Sequence, residues 1–409
     1  MAIIVQKYGG TSVGTLARIE AVAANIIATR REGHQVVVVL SAMAGETNRL
    51  LAMAKAIDAE PATRELDMLL ATGEQVSIAL LAMALIKQGF SAISLLAHQI
   101  GLRTNNHFGR ARIHSVDNHR LLQALELEQV VIVAGFQGQD NEQNVTTLGR
   151  GGSDTSAVAI AAALQAAECQ IFTDVDGIYS ADPRLVPDAR KLEQLSFEEM
   201  LVMASLGSKV LQNRAVEYAM RHCLPIRVLN SFSQNTGTLV TTVDNMSEEQ
   251  GFPKPVSGIS HHTDEALIEL AHLSCAEQMG QLFTDLGALG IEIDLINQSF
   301  TQNNELNVSF SIHRNDYRQV LKYCQQLQVS QTTLTIESNA QVVKISAIGV
   351  GMKSHAGVAG CFFSALAKEN IHIYLISTSE INISVIINEA DLTNAVCALH
   401  KVFQLSSPT

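Results

Sequence analysis

Tryptophan is absent from this chain, proline is scarce at 7 of 409 residues, and aromatic residues make up only 5%. With hydrophobic residues at 47% and charged residues at only 17%, disordered and fibrous classes are excluded. Positive charge is also short: 28 Lys plus Arg face 40 Asp plus Glu, a formal charge of −12. A field of that sign repels phosphate, which argues against nucleic-acid or anionic-membrane binding. Any cationic site must therefore be local. No CxxC pair occurs, and the six cysteines (Cys169, Cys223, Cys275, Cys324, Cys361, Cys397) are scattered. They read as reduced core residues rather than a disulfide frame or zinc site. The N-terminus lacks a basic start followed by a long apolar run, and the most apolar helical stretch, residues 78–86, is about half a membrane span. The expectation is a soluble, cytoplasmic protein with no membrane partner.

What is present is organisation. At roughly 150 residues per domain, the length predicts two or three domains. Over the first 245 residues, apolar strand-like runs (2–8, 36–40, 130–136, 170–175) alternate with helical patterns (16–31, from 47 onward, 154–167). Continuous apolar strands between helices predict a mostly parallel sheet covered on both faces, a three-layer αβα domain. A polar stretch at 244–255 reads as a linker. Beyond it LFTDLGALGIEIDLI (282–296) matches FFSALAKENIHIYLI (362–376) at a spacing of 80. Each copy is followed by a second alternating strand and a helix, predicting two α+β modules of split βαβ, ferredoxin-like type. The boundaries read as 1–245, a linker with a first strand at 246–263, and modules at 264–337 and 338–409.

Three motifs stand where strands would end. Lys7-Tyr8-Gly9-Gly10-Thr11-Ser12 joins a lysine to glycines that let backbone N–H groups approach an anion. No Walker A pattern occurs, and a Gly-Gly turn alone is more often simply a tight turn. Thr147-Leu148-Gly149-Arg150-Gly151-Gly152-Ser153-Asp154 runs into a helix. Helix capping by Ser153 or Asp154 would explain one polar residue, not Arg150 with three glycines. Thr173-Asp174-Val175-Asp176-Gly177 leads to Tyr179 and then Asp182-Pro183-Arg184, a loop of the kind that binds ligands beyond parallel strands. Its DxDG spacing does not continue as an EF-hand. Ser41, Thr47, Glu74 and Lys209 each read individually as caps or solvated side chains. His98, His107, His114 and His119 show no ligand spacing, and no metal site is expected.

Taken together, KYGGTS, SAMAGETN (41–48), TTLGRGGSDT (146–155), FTDVDGIYSADPR (172–184) and ASLGSKVLQNRAVE (204–217) resemble the aspartate kinase family. The paired C-terminal modules are similar to the two ACT domains of its monofunctional members. The resemblance covers nearly the whole chain. It implies an amino-acid-kinase fold, ATP with Mg²⁺, and phosphoryl transfer to the side-chain carboxylate of L-aspartate, the entry to lysine, threonine and methionine synthesis. By motif, Lys7 would stabilise the transferring phosphoryl group and Asp154 would orient the basic groups. Ser41, Thr47, Glu74, Arg150, Gly151, Gly152 and Ser153 would hold aspartate, with Arg150 on its α-carboxylate and Glu74 near its ammonium. Lys7, Tyr8, Gly9, Gly10, Thr173, Asp174, Tyr179, Asp182, Arg184 and Lys209 would contact the nucleotide.

The resemblance also implies a homodimer or tetramer, and an amino-acid effector such as lysine or threonine at ACT interfaces. The second module keeps Gly351-Met352-Lys353-Ser354-His355 and Ser377-Thr378-Ser379-Glu380-Ile381, with Ala356 where a proline is usual. The first carries His272-Leu273-Ser274-Cys275-Ala276-Glu277-Gln278 in place of an Asp-Lys-Pro-Gly-type turn. Either feedback is altered or lost, or the effector binds through other residues. Met246 stands where some relatives start a separate regulatory subunit. The alternatives are a related kinase with another acidic acceptor, or a non-catalytic amino-acid sensor; a nucleic-acid-binding regulator lacks a basic patch.

Overall fold

The computed structural model describes every residue except 1, 208–209, 246–254, 274–275, 302–304, 332, 351, 353–354, 356 and 407–409. Two compact units emerge: Met1–Ile178 with Lys191–Ala204 and Lys209–Glu249, and Tyr179–Arg190 with Ser205–Ser208 and Gln250–Thr409. The sequence-based boundary at 245 therefore misses two exchanges, because Tyr179–Arg190 and Ser205–Ser208 group with the C-terminal unit.

The first unit is built on an eight-stranded sheet in the order Gln194–Ser196, Thr238–Thr241, Ile226–Asn230, Glu168–Thr173, Ile3–Tyr8, Gln35–Leu40, Val130–Ala134 and Ala92–Leu95. Six neighbouring strands run parallel; Thr238–Thr241 turns antiparallel to Ile226–Asn230. Val36 to Leu40 and Val130 to Ala134 are fully buried, as runs without alternation require when both faces are covered. Each such side chain contributes about 1.5–3 kcal/mol of apolar burial. On one face lie the helices Leu16–Arg31 and Thr72–Lys87, whose Ile19, Ile26, Leu81 and Leu85 meet Val36, Val38 and Ile132. On the other lies the alanine-rich helix Gly152–Ala163, against the central strands. The residues 63–87 are long and apolar enough to cross a membrane by length and composition, yet Ile78, Leu81, Ala82 and Leu85 are core. A second small sheet, Ile113–Ser115, Arg103–Thr104, Gln137–Gln139 and Val145–Thr147, carries the chain into the Gly149–Gly152 loop. Its strands have two or three residues each, too short for periodicity to reveal them.

In the second unit, two long strands, Gly258–Leu273 and Thr335–Ile348, pair antiparallel from Gly258↔Ile348 to Ala271↔Thr335. Each serves both modules. One core gathers Ala266, Ile268, Leu282, Phe310 and Val320; another gathers Ile259, Val343, Ile345, Phe362, Val385 and Leu399. The second module thus takes its last strand from the 258–262 end of the first long strand, not from the chain's C-terminus. Sequential boundaries at 264–337 and 338–409 cannot express that exchange. The 80-residue repeat holds for the helices Ala276–Ala288 and Val358–Lys368 and the strands after them. Ala181, Val186 and Ala189 complete the second core. Ser180 Oγ lies 3.1 Å from His400 Nε2 and donates to Leu405 O at 3.0 Å.

Of the cysteines within the described residues, only Cys169 and Cys324 are buried; Cys223, Cys361 and Cys397 are exposed and unpaired with one another. The expectation of core cysteines holds for two.

Candidate active site

The parallel strands of the first unit end on one edge of the sheet, where loops are free to diverge and bind. Ile3–Tyr8 delivers Lys7 and Gly9-Gly10 there, Gln35–Leu40 delivers Ser41, and Glu168–Thr173 delivers Thr173 and Asp174. Three turns converge because glycine lets them. A Cβ on Gly10 would stand 2.8 Å from the Ala42 carbonyl oxygen, closer than real contacts allow. A Cβ on Gly9 would lie 3.5 Å from Lys7 Nζ.

Lys7 reaches across to the first turn of the helix Gly152–Ala163. Its Nζ lies 2.6 Å from Asp154 Oδ1, with both side chains about nine-tenths buried at 11% and 10% exposure. Asp154 is therefore not the cap of that helix. The chain enters through left-handed Gly149 and Gly151, and the helix N-cap, Gly151, has no side chain to offer. Ser153 is buried beside Asp154, whereas Arg150 is exposed on the loop between the two left-handed glycines. Helix N-terminal N–H groups, a lysine and an arginine thus share one rim.

Ser41 and Ala42 are fixed from two sides. Ser41 N–H donates to Tyr8 O at 3.1 Å, and Ser77 Oγ donates to Ser41 O at 2.9 Å. Ala42 N–H donates to Glu74 Oε1 at 3.0 Å. Glu74 is 3% exposed, and its Oε2 finds no hydrogen-bond partner. Burial pushes its carboxyl up to about 7, against the opposing pull of the Ala42 N–H. A buried carboxylate with one free oxygen suits a cationic ligand. Thr47 lies half-buried in the first turn of Glu46–Ile57, and Glu46 is engaged by Arg49 at 2.6 Å.

Other expected residues divide. Thr173 Oγ1 donates to exposed Asp174 at 3.1 Å. The Tyr8 side chain turns away from the rim: it is fully buried and stacks on Phe172 at 4.4 Å. Strand alternation explains this, since Lys7 and Tyr8 must face opposite sides. Asp182 and Arg184 pair with each other at 2.7 Å, and with Tyr179 they belong to the segment that packs in the second unit. Lys209, Gly351, Lys353 and Ser354 lie outside the described residues. Sequence reasoning missed Ser12, buried and 2.6 Å from Ser231 Oγ, which ties the Gly9-Gly10 turn to the end of Ile226–Asn230. The string KYGGTS contains Ser12, but nothing in it names the partner. Among the described residues no three His, Cys, Asp or Glu side chains converge as a metal cage.

Comparison with known proteins agrees with this architecture. The amino acid kinase family matches residues 2–230, and an ACT domain matches residues 345–403. An aspartate kinase of Stutzerimonas stutzeri is 50% identical, across 100% of this chain and 98% of its own. Escherichia coli aspartokinase III in complex with aspartate and ADP superposes with a TM-score of 0.79 at 26% identity, covering 98% of this chain and 99% of that one. The same enzyme with lysine and aspartate gives 0.76 at 27%, covering 98% and 99%. A full-length relative at half identity, joined to a lysine–aspartate pair at a glycine-lined strand end, leaves one assignment: the chain belongs to the aspartate kinase family.

Proposed function

We propose that this site transfers the γ-phosphoryl group of ATP to the side-chain carboxylate of L-aspartate, giving 4-phospho-L-aspartate and ADP, the first step toward lysine, threonine and methionine. The acceptor, with a pKa of about 3.9, is already ionised at neutral pH and needs no general base. A carboxylate oxygen attacks the γ-phosphorus while the bond to the β–γ bridging oxygen breaks. The obstacle is charge: two like charges at about 4 Å repel by roughly 1 kcal/mol in water and more in a drier site. Lys7 offsets that repulsion at the transferring group, and Asp154 holds its ammonium in place. The Lys7–Asp154 pair is the observation that carries this reading.

Arg150 takes the α-carboxylate of aspartate and the free oxygen of Glu74 its ammonium; Ser41, Thr47, Gly151, Gly152 and Ser153 complete the acceptor side. Gly9, Gly10, Thr173 and Asp174 serve the nucleotide, and for Tyr8 only the backbone remains available. The nucleotide roles of Tyr179, Asp182, Arg184 and Lys209 rest on the motif alone. Mg²⁺, bound with the triphosphate, would supply further charge neutralisation beside Lys7. An ATP-dependent aspartyl-hydroxamate assay tests the reaction; equal product with glutamate would point to a different acceptor.

The ACT pair binds an amino-acid effector, lysine or threonine, and assembly as a homodimer follows strand-edge pairing. Ile293–Phe300 lies at one edge of the sheet, with Ile296 and Phe300 exposed at 55% and 61%. Near the end of the first strand of that module, left-handed His272 donates its backbone N–H to Asn307 Oδ1 at 3.1 Å, and its Nδ1 lies 2.6 Å from Glu305 Oε2. Ser274 and Cys275 of the turn that follows lie outside the described residues. Rates with and without lysine plus threonine, and light scattering for the assembly, test these points.

A further inference from the structure

One buried carboxylate has no part in the mechanism above. Asp67, in the helix Thr63–Leu70, is 1% exposed, and neutral donors rather than a cation hold it. Gly109 N–H lies 3.0 and 2.9 Å from its two oxygens. Thr147 supplies its N–H at 2.7 Å to Oδ2 and its hydroxyl at 2.8 Å to Oδ1. Burying a carboxylate costs several kcal/mol unless its lone pairs are satisfied, and here Gly109 and Thr147 satisfy them.

What it fixes is a distance between two ligand-facing elements. On the C-terminal side, its helix passes Ala71, whose N–H donates to Asp67 O, and continues as Thr72–Lys87, which carries Glu74. Gln137 Nε2 clasps the same joint by donating to Ala71 O at 3.0 Å. Through its side chain, Asp67 grips Thr147, the last residue of the strand Val145–Thr147, three positions before Arg150. Gly109, the second group it holds, packs under the same loop: a Cβ on Gly149 would lie 3.0 Å from Gly109 O, and Ala111 N–H donates to Thr147 O at 2.9 Å. The Arg150 side chain is exposed, so only its backbone can be pre-set; the clamp holds that backbone together with Arg214 Nη1 on Leu148 O at 3.3 Å and Leu148 N–H on Phe136 O at 2.9 Å.

We infer that Asp67 is a positioning residue for acceptor recognition: it fixes the separation between Glu74 and Arg150, hence between the sites for the α-ammonium and α-carboxylate of an α-amino acid. The inference rests on the roles given above to Glu74 and Arg150. It separates the two substrates, because the groups that Asp67 grips, Gly109 and Thr147, lead to the acceptor side.

The test is steady-state kinetics on the full-length enzyme with Asp67→Asn, Thr147→Val and Arg150→Ala. Asp67→Asn puts an amide donor against hydrogen-bond donors, and Thr147→Val removes one hydroxyl while keeping the side-chain volume. Each should raise the aspartate KM, about tenfold for Asp67→Asn and about threefold for Thr147→Val, with the ATP KM within about twofold. Combined with Arg150→Ala, either should add less than its own single effect. If Asp67→Asn does not fold, Thr147→Val carries the test. A purely structural role would lower the melting temperature and the active fraction while leaving both KM values of the surviving enzyme alone, and that result overturns the inference. An unchanged aspartate KM in the clamp variants beside a raised one in Arg150→Ala overturns the inference alone. An unchanged KM in Arg150→Ala overturns the role of the arginine, and the inference with it.

Discussion

Lys7 and Asp154 come from segments 147 residues apart in sequence, yet the ammonium and carboxylate lie 2.6 Å from each other at the end of the central strand. In the proposed reaction neither serves as a general base, and the pair holds a positive charge in one place. Asp154→Asn should therefore lower kcat by about a hundredfold or more, as loss of a preorganised charge does, with the aspartate KM within about threefold. Initial rates at saturating ATP check this.

Glu74 predicts a pH dependence. With its carboxyl near 7, protonation below that value removes the partner for an ammonium, so the aspartate KM should rise as the pH falls from 8 to 6. Glu74→Gln should raise the KM and flatten its pH profile.

The same residue carries a stability prediction of opposite sign to an ordinary surface carboxylate. The folded protein binds this proton more tightly than the unfolded chain, whose value is near 4.5. Its stabilising contribution is full below the unfolded value and is lost as the pH rises through about 7. Glu74→Gln should then be more stable than the parent at pH 8, by at most roughly 3 kcal/mol. Urea titrations at pH 4 and pH 8 should show nearly all of the gain at the higher pH.

Gly10 separates backbone constraint from chemistry. Its missing Cβ would meet the Ala42 carbonyl oxygen at 2.8 Å, a backbone atom that cannot step aside alone. Gly10→Ala should push the two turns apart and cost at least about tenfold in kcat/KM. A Cβ on Gly280 meets nothing, so Gly280→Ala should leave activity unchanged.

In the second unit, Lys344 is 5% exposed and pairs with Asp294. Asp294→Ala would strand a buried ammonium. The expected loss is about 1–2 kcal/mol, moderated because Asp294 itself keeps 39% exposure. Replacing both, as Lys344→Met with Asp294→Leu, should recover most of it, read by thermal denaturation.

Much of this fold was legible because its central strands are apolar on both faces: VVVVL and VVIVA admit no other burial pattern. Lys7, Arg150 and Asp154 could be named as candidates because glycines and charges coincide at strand ends. The Lys7–Asp154 pairing could not be read without topology. The direction of the Tyr8 side chain was not legible for a simple reason: membership in a motif does not say which face of the strand a side chain takes. Asp67 sits in an ordinary helical pattern, and only its burial against Gly109 and Thr147 distinguishes it. The exchange of Tyr179–Arg190 into the C-terminal unit, and of the 258–262 strand into the second module, is likewise non-local. No window along the chain contains both partners.

Single-turnover formation of acyl phosphate by Lys7→Met, alongside its equilibrium affinity for ATP, tests the central claim most directly. A fall in rate of about a thousandfold with nucleotide affinity within about threefold is the expected result. A folded Lys7→Met enzyme that phosphorylates aspartate at close to the parent rate would contradict it.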